Sequence, residues 1–244
     1  MAGSKKQKTT GKTREKPQVR RFRPGRWLMR WTLRLGVIMG VLVIGAVVLF
    51  SVVNPPTTHT IWAERQRLGA VEHQWVDLDA VAPVMARAVV AAEDANFCRH
   101  WGFDMDAIRA AIASGADRGG STISQQVVKN VYLWQERSYI RKALEAVLTP
   151  AVETLWSKRR IVEVYLNIAE FGEGVFGIDA AARHYFGVAP ADLSAQQAAL
   201  LAAVLPSPKK RSASNPSNAV SRRARAIRDG AATIRADGRA ACFE

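Results

Sequence analysis

The chain has 244 residues, which bounds it to one catalytic-size domain with some length to spare. Its net charge of +14 is uneven: residues 1–34 hold five Lys and seven Arg against one acid, Glu15, a net +11, and the remaining 210 residues carry only +3. A nucleic-acid arm would need an accompanying fold motif, and none is present; the tail directly precedes an apolar span, where topology and anionic-lipid attraction explain it with fewer assumptions.

Residues 35–53 contain no charged side chain. As a helix they span about 29 Å, close to the hydrocarbon thickness of a bilayer. Arg26, Arg30 and Arg34 flank the run, and Asn54, Pro55 and Pro56 follow it, as at the stiff exit of an uncleaved anchor. Basic flanks stay cytoplasmic, so residues from about 54 onward are expected outside. Trp27 and Trp31 fit the inner interface. Residues 54–79 read as a polar connector with one short strand or helix.

Residues 77–96 are read as predominantly helical, with Pro83 tolerable only in the first turn. Met85, Val89 and Glu93 share a face, so a carboxylate ends an apolar stripe. Burial would raise its pKa, as a proton-shuttling group requires. The bland alternative is a surface acid at a helix C-terminus, which the helix dipole disfavours. Asp94 points about a quarter-turn away, toward backbone or solvent. Phe97, Trp101 and Phe103 are apolar anchors, and His100 alone is more often structural than a base.

A short helix over residues 105–114 and a flexible loop to Gly120 come next. In the run 119–130, Gly119 and Gly120 precede Ser121 and Thr122, either of which can cap the following helix. Such a turn aims N–H groups and hydroxyls at one spot, a natural anion site. It lacks the ending of a Walker loop, and by itself reads as a capped turn. Arg137, Arg141 and Glu145 follow at four-residue spacing with Lys142 beside them. They form either a surface ion pair worth about 0.3–0.5 kcal/mol or a cationic clamp with a second carboxylate in a cleft. Residues 155–169 continue helical with Ile161, Val164, Tyr165 and Ile168 inward, and 171–177 form a glycine-rich turn. Residues 178–185 are a further helix, and Ser194 with Gln197 forms a capping box before the helix 195–205. Beyond Pro208 the chain is basic and reads as one exposed helix in a tail. Cys98 and Cys242 are treated as free, because sequence alone does not bring them together.

Taken together, residues 60–210 resemble the peptidoglycan glycosyltransferase family (glycosyltransferase family 51). The first motif is met by Glu93, Asp94, Phe97, His100, Gly102 and Asp104, the second by residues 119–130, and the third by Arg141, Lys142 and Glu145. The fourth is met by Lys158 with residues 161–167 and the fifth by Gly177 with residues 180–187. The run from Tyr165 to Gly172 is most similar to the monofunctional Gram-negative members. The departures are small: a short 114–119 loop, and a C-terminal tail to which the resemblance is not extended.

The resemblance implies a mainly α fold: a lysozyme-like two-lobed glycosyltransferase domain behind a single N-terminal transmembrane helix. The segments would be a cytoplasmic tail 1–34, a span 35–53, a connector 54–79, a catalytic domain 80–210 and a basic tail 211–244. The implied reaction polymerises lipid II into β-1,4-linked glycan strands, with inversion and release of undecaprenyl pyrophosphate, on the periplasmic side of the inner membrane. Partners would be lipid II, the growing strand, the inner membrane and cell-wall synthesis or division proteins, with no nucleic acid. No tightly bound cofactor is implied; Mg or Mn at the pyrophosphate, with Glu145 as a ligand, is an open option. The implied catalytic residues are Glu93 and Glu145. Substrate-binding residues would be Asp94, Phe97, His100, Gly119, Gly120, Ser121, Thr122, Gln125, Gln126, Lys129, Asn130, Arg137, Arg141 and Lys142.

The residue types fit that chemistry independently. A hydroxyl nucleophile needs a base, and a departing pyrophosphate needs fixed cations. A lysozyme-like cleaving enzyme would also use Glu93, but its neutral leaving group gives the cations no task. A degenerate wall-binding scaffold should have lost charged motif positions, and none is lost. A bifunctional penicillin-binding protein is not expected, since Ser207 to Lys210 lacks its companion motifs.

Overall fold

The computed structural model describes residues 24–113, 115 and 120–244. Most of the basic tail, and Gly119 with most of its loop, lie outside the described residues. The chain divides into two units, Met1–Val43 and Ile44–Glu244. Helix α1 (Pro24–Phe50) provides the described part of the first and the opening residues of the second. It is the one helix among the described residues long and apolar enough to cross a membrane. It begins earlier than the uncharged run because Pro24 suits a first helical turn, so Arg26, Arg30 and Arg34 ride on the helix itself. The Trp27 and Trp31 rings meet edge to face at 6.1 Å, and the Arg34 guanidinium lies 5.5 Å over Trp31.

The second unit is mostly helical, as expected. The connector 54–79 is more ordered than its polarity implied: it holds α2 (His59–Leu68), capped by the Thr58 hydroxyl, and β1 (Glu72–His73). The helix read over 77–96 is shorter. Its regular part, α3 (Pro83–Glu93), starts where Pro83 fixes φ in the first turn. Met85, Val89 and Val90 on it are buried in the core. After α4 (Met105–Ala113), α5 (Ile123–Tyr132) begins with Thr122 and Gln125 in a capping box, as the Gly-Ser-Thr run allowed. Helix α6 (Tyr139–Leu155) is capped by Ser138 and carries Pro150 inside it.

The helix read over 155–169 is interrupted at Trp156: Ser157 caps a new helix, α7 (Lys158–Ile168). The glycine-rich turn is a hairpin of β2 (Glu170–Gly172) and β3 (Val175–Phe176), with β1 parallel to β3 on its other side. Helix α8 (Gly177–Phe186) starts at a glycine with φ +80°, where a Cβ would lie 2.9 Å from the Asn167 carbonyl oxygen. Only glycine fits there without strain. Helix α9 (Ala195–Val204) opens with the Ser194–Gln197 capping box.

Two expectations fail at the C-terminal end. Residues 211–244 are not an exposed tail: α10 (Asn218–Ala236) packs on α3 and α9 and buries Val220, Ala224, Ile227, Ala231 and Ile234. These five recur at three- and four-residue steps, the signature of a core-facing stripe that the many arginines masked. Cys98 and Cys242 are not free but form a disulfide across 144 residues of sequence. Closing a loop of that length restricts the unfolded chain by about 5 kcal/mol on a chain-entropy estimate.

The apolar packing is uneven. Helices α3, α7, α8, α9 and α10 enclose most of the buried side chains. Helix α4 buries none, and Ile112, Tyr139, Ile140 and Val147 of α4 and α6 stand exposed.

Candidate active site

Glu93 is the last residue of α3, and its side chain is only 16% exposed. Burial raises its pKa, and the partial negative end of α3 gives no relief. Two groups offset that cost. Gln126 Nε2 donates to Glu93 Oε2 at 3.0 Å, and Arg223 of α10 lies 3.7 Å from Oε1. The Tyr165 phenol is buried nearby and held well above its ordinary pKa by that burial and then by the Glu93 charge. A solvated surface acid would show none of these features.

The next residue leaves the helix and turns inward. Asp94 accepts from His100 Nε2 at 2.7 Å and from the Ile123 backbone N–H at 3.0 Å. It therefore ties the loop after Glu93 to the first turn of α5. The Thr122 hydroxyl repeats the tie by donating to the Gly102 carbonyl at 2.6 Å. Gly102 has φ +82°, and a Cβ there would collide with Thr149 Cγ2. Beneath the loop, Lys158 Nζ donates to the His100 carbonyl and to Glu153, both at 2.9 Å, and sits 4.2 Å over the Phe97 ring. Ser124 also donates to Glu153.

The cations collect further along α5 and around the start of α6. A cleft of about 830 Å³ is lined by Lys129, Arg137, Arg141 and Lys142 against one carboxylate, Glu145, with Ser121, Gln125 and Gln126 on its wall. Glu145 is 3% exposed; its oxygens accept from Arg141 Nη1 at 3.0 Å and Lys142 Nζ at 2.5 Å. Arg141 Nε also donates to the Glu136 carbonyl at 2.9 Å, which fixes the plane of the guanidinium. Burial pushes the Lys129 ammonium below its ordinary pKa, opposed chiefly by the charge of Glu145. The Arg141–Glu145 pair is therefore buried in the cleft and is not a surface ion pair. A smaller hollow of about 290 Å³ is lined by Glu93, Asn96, Gly120 and Ser121, so Ser121 stands at the border of both. On α5, Gln126 binds the carboxylate while Lys129, three residues on, joins the cations.

The structure sorts the candidate residues into two groups. Glu93, Asp94, Gly120, Ser121, Thr122, Gln125, Gln126, Lys129, Arg137, Arg141, Lys142 and Glu145 line the two hollows. Asn130 accepts from Gln135 at 2.6 Å and borders a neighbouring hollow with Lys129 and Glu170. Phe97 and His100 line neither hollow and support the site from behind. Phe97 is wholly buried and cannot meet a ligand. Asp94 is engaged by His100 Nε2 and by the Ile123 backbone of α5, whereas His100 Nδ1 is buried without a hydrogen-bond partner among the described residues. Thr122 and Gln125 are largely buried, and the Thr122 hydroxyl oxygen and Gln125 Oε1 form the capping box. Arg223 was not singled out from sequence. The five-residue apolar stripe of α10 would have placed it beside a buried face, but not against Glu93.

A partly buried carboxylate beside a cluster of fixed cations, both carried by one helical domain, has the parts that group transfer calls for, a proton acceptor and fixed positive charge. The chain belongs to the transglycosylase family, whose model matches residues 60–231. It is 62% identical over 218 residues to the biosynthetic peptidoglycan transglycosylase of Jannaschia sp. (strain CCS1), covering 89% of this chain and 90% of that protein. Proteins of the same description from Citrobacter koseri and Caulobacter vibrioides are 48% and 44% identical, over 82% and 81% of this chain and 88% of each of theirs.

Proposed function

We propose that the protein is a membrane-anchored peptidoglycan glycosyltransferase that polymerises lipid II. The observation that carries this reading is the buried Glu93 carboxylate, bonded to Gln126 of α5, next to a cationic cleft that Gln126 and Lys129 of the same helix line. In the reaction, the 4-hydroxyl of one lipid II attacks C1 of the growing strand. The new O4–C1 bond forms as the bond from C1 to the pyrophosphate oxygen breaks, with inversion. Glu93 takes the hydroxyl proton, and its raised pKa makes it a stronger base near neutral pH. The electron pair leaves with undecaprenyl pyrophosphate, whose charge Lys129, Arg141 and Lys142 are placed to meet. Glu145 holds Arg141 and Lys142 in register and is assigned a positioning role.

The donor set does not favour a resident metal at Glu145. Both its oxygens are engaged by cations, and no group of three or more His, Cys, Asp or Glu suited to a metal ion occurs among the described residues. No step is routed through a divalent ion.

The disulfide supports an oxidising compartment for the catalytic unit, in line with the positive-inside orientation of the basic flank. We therefore assign the N-terminus to the cytoplasm and the catalytic unit to the periplasmic face of the inner membrane. The polyprenyl tail of the substrate gives the anchor its purpose. Purified full-length protein given lipid II should yield glycan polymer. Cleavage of preformed strands without polymer formation would replace this reading with a lytic one.

A further inference from the structure

We infer that the Cys98–Cys242 disulfide and the segment it holds, residues 237–244, form a clip that positions the catalytic carboxylate. The inference rests on Glu93 acting as the base.

Glu93 sits where the chain leaves α3, so its placement depends on the irregular loop that follows. Asp94, His100 and Lys158 fix that loop on one side. On another side it is met by residues from the far end of the sequence. Arg239 Nη1 donates to the Ala95 carbonyl at 3.0 Å, two residues past Glu93, and Asp237 braces Arg239 at 2.8 Å. The buried Phe243 ring meets the buried Phe97 ring at 6.3 Å, and Phe97 in turn meets His100 edge to face at 6.2 Å. Arg159 of α7 donates to the Phe243 carbonyl at 3.3 Å. Six residues before Glu93, Arg87 pairs with the Glu244 side chain at 2.7 Å. Residues 237–244 therefore grip the chain both before and after the carboxylate, and the disulfide bonds that grip to Cys98 itself.

The same helix that leads into the clip also touches the carboxylate. Arg223 of α10 pairs with Glu93 and donates to the Ala92 carbonyl at 3.3 Å. Helix α10 thus holds Glu93 near its start and delivers the clip at its end. The individual ties are partly exposed hydrogen bonds, ion pairs and one aromatic contact, each weak against solvent. The covalent bond keeps them in register together. None of the clip residues touches the cationic cleft, so its loss should act on the placement of the base and leave pyrophosphate binding in place.

Reduction by a dithiol delivers two electrons and two protons, converts the bond to the Cys98 and Cys242 thiols, and turns the reagent into its own disulfide. The test compares oxidised wild type, wild type reduced with dithiothreitol and alkylated, and Cys98→Ser/Cys242→Ser, each as full-length protein. Pairing is checked by differential alkylation and mass spectrometry. Misplacing a reacting group by about 1 Å costs up to ~10² in rate. We expect kcat for lipid II polymerisation to fall about 10- to 100-fold with KM little changed. The acid limb of the pH profile should move toward an ordinary carboxylate as Glu93 becomes better solvated. Dithiothreitol should leave the double variant unaffected, and reoxidation of unalkylated wild type should restore its rate.

Unchanged kcat and pH profile in folded, reduced protein would overturn the inference. A rate loss that only tracks the unfolded fraction in a thermal melt would also overturn it. Arg239→Ala keeps the disulfide and covers the case in which the double variant does not fold. It should lower kcat in the same direction with the melt preserved, and wild-type kcat there would equally count against the clip. Glu93→Gln with full turnover would instead undo the assignment of the base.

Discussion

Arg223 offers the sharpest test of how the base is tuned. Its guanidinium lies 3.7 Å from the Glu93 carboxylate and favours the charged form. Two unit charges at that distance attract by roughly 4–5 kcal/mol at an effective dielectric of 20 and by about 1 kcal/mol in water. The Arg223 side chain is 39% exposed, so the screened end of that range applies. About 1 kcal/mol corresponds to somewhat under one pKa unit. Removing the cation disfavours ionised Glu93, so Arg223→Ala should push its already raised pKa higher. The limb of kcat/KM against pH on which the base loses its proton should therefore shift to higher pH by up to about one unit. Arg223→Lys, which keeps the charge, should shift it less. The assay is initial-rate lipid II polymerisation across pH, with a thermal melt at each pH to remove unfolded protein from the comparison. A limb that stays in place, or moves to lower pH, would refute the electrostatic role of Arg223.

Glu93→Gln should lower the polymerisation rate by about 10²–10⁴. It should also raise the melting temperature at neutral pH: a raised carboxyl pKa gives stability that is full below the ordinary carboxylate range and lost as pH rises through the folded value, so the gain should vanish in acid. Lys129→Ala and Arg141→Ala should each lower kcat by about 10²–10³ while raising KM less, and wild-type kcat in both would remove the clamp from the mechanism. Arg141→Lys should not restore the rate fully, because an ammonium cannot copy a guanidinium held by both Glu145 and the Glu136 carbonyl. A reporter fused after Glu244 should be active only outside the inner membrane, and cytoplasmic activity would reverse the orientation.

The sequence was most legible where local rules suffice. The capping boxes at Thr122 and Ser194, the Ser138 start of α6 and the stripe ending at Glu93 all follow from spacing and side-chain chemistry. It was less legible where a polar side chain faces inward. Asp94, His100 and Thr122 look only like ligand-binding groups in one dimension, whereas in the fold they also make hydrogen bonds that join the Glu93 loop to α5. The partners lie up to 29 residues away in sequence, and no local pattern records the pairing. Helix α10 was misjudged for a related reason. Its arginines dominate the composition, whereas Val220, Ala224 and Ile227 decide which face is buried. Arg223 and Cys242 reach their partners only through that packing.

The span of the disulfide also sets an order of events during biogenesis. Cys98 and Cys242 are 144 residues apart, so at roughly 5–20 residues per second the first emerges from the ribosome about 7–30 s before the second exists. With the topology assigned above, the amino end stays in the cytoplasm, and the residues that follow α1 cross the membrane before the carboxyl end. The thiol beside Glu93 therefore waits unpaired while the helices between it and its partner arrive. The loop that carries the base is completed last, by residues at the opposite end of the message. A chain stalled or cut between Gly187 and Cys242 delivers every motif of the site across the membrane but lacks the bond that fastens that loop.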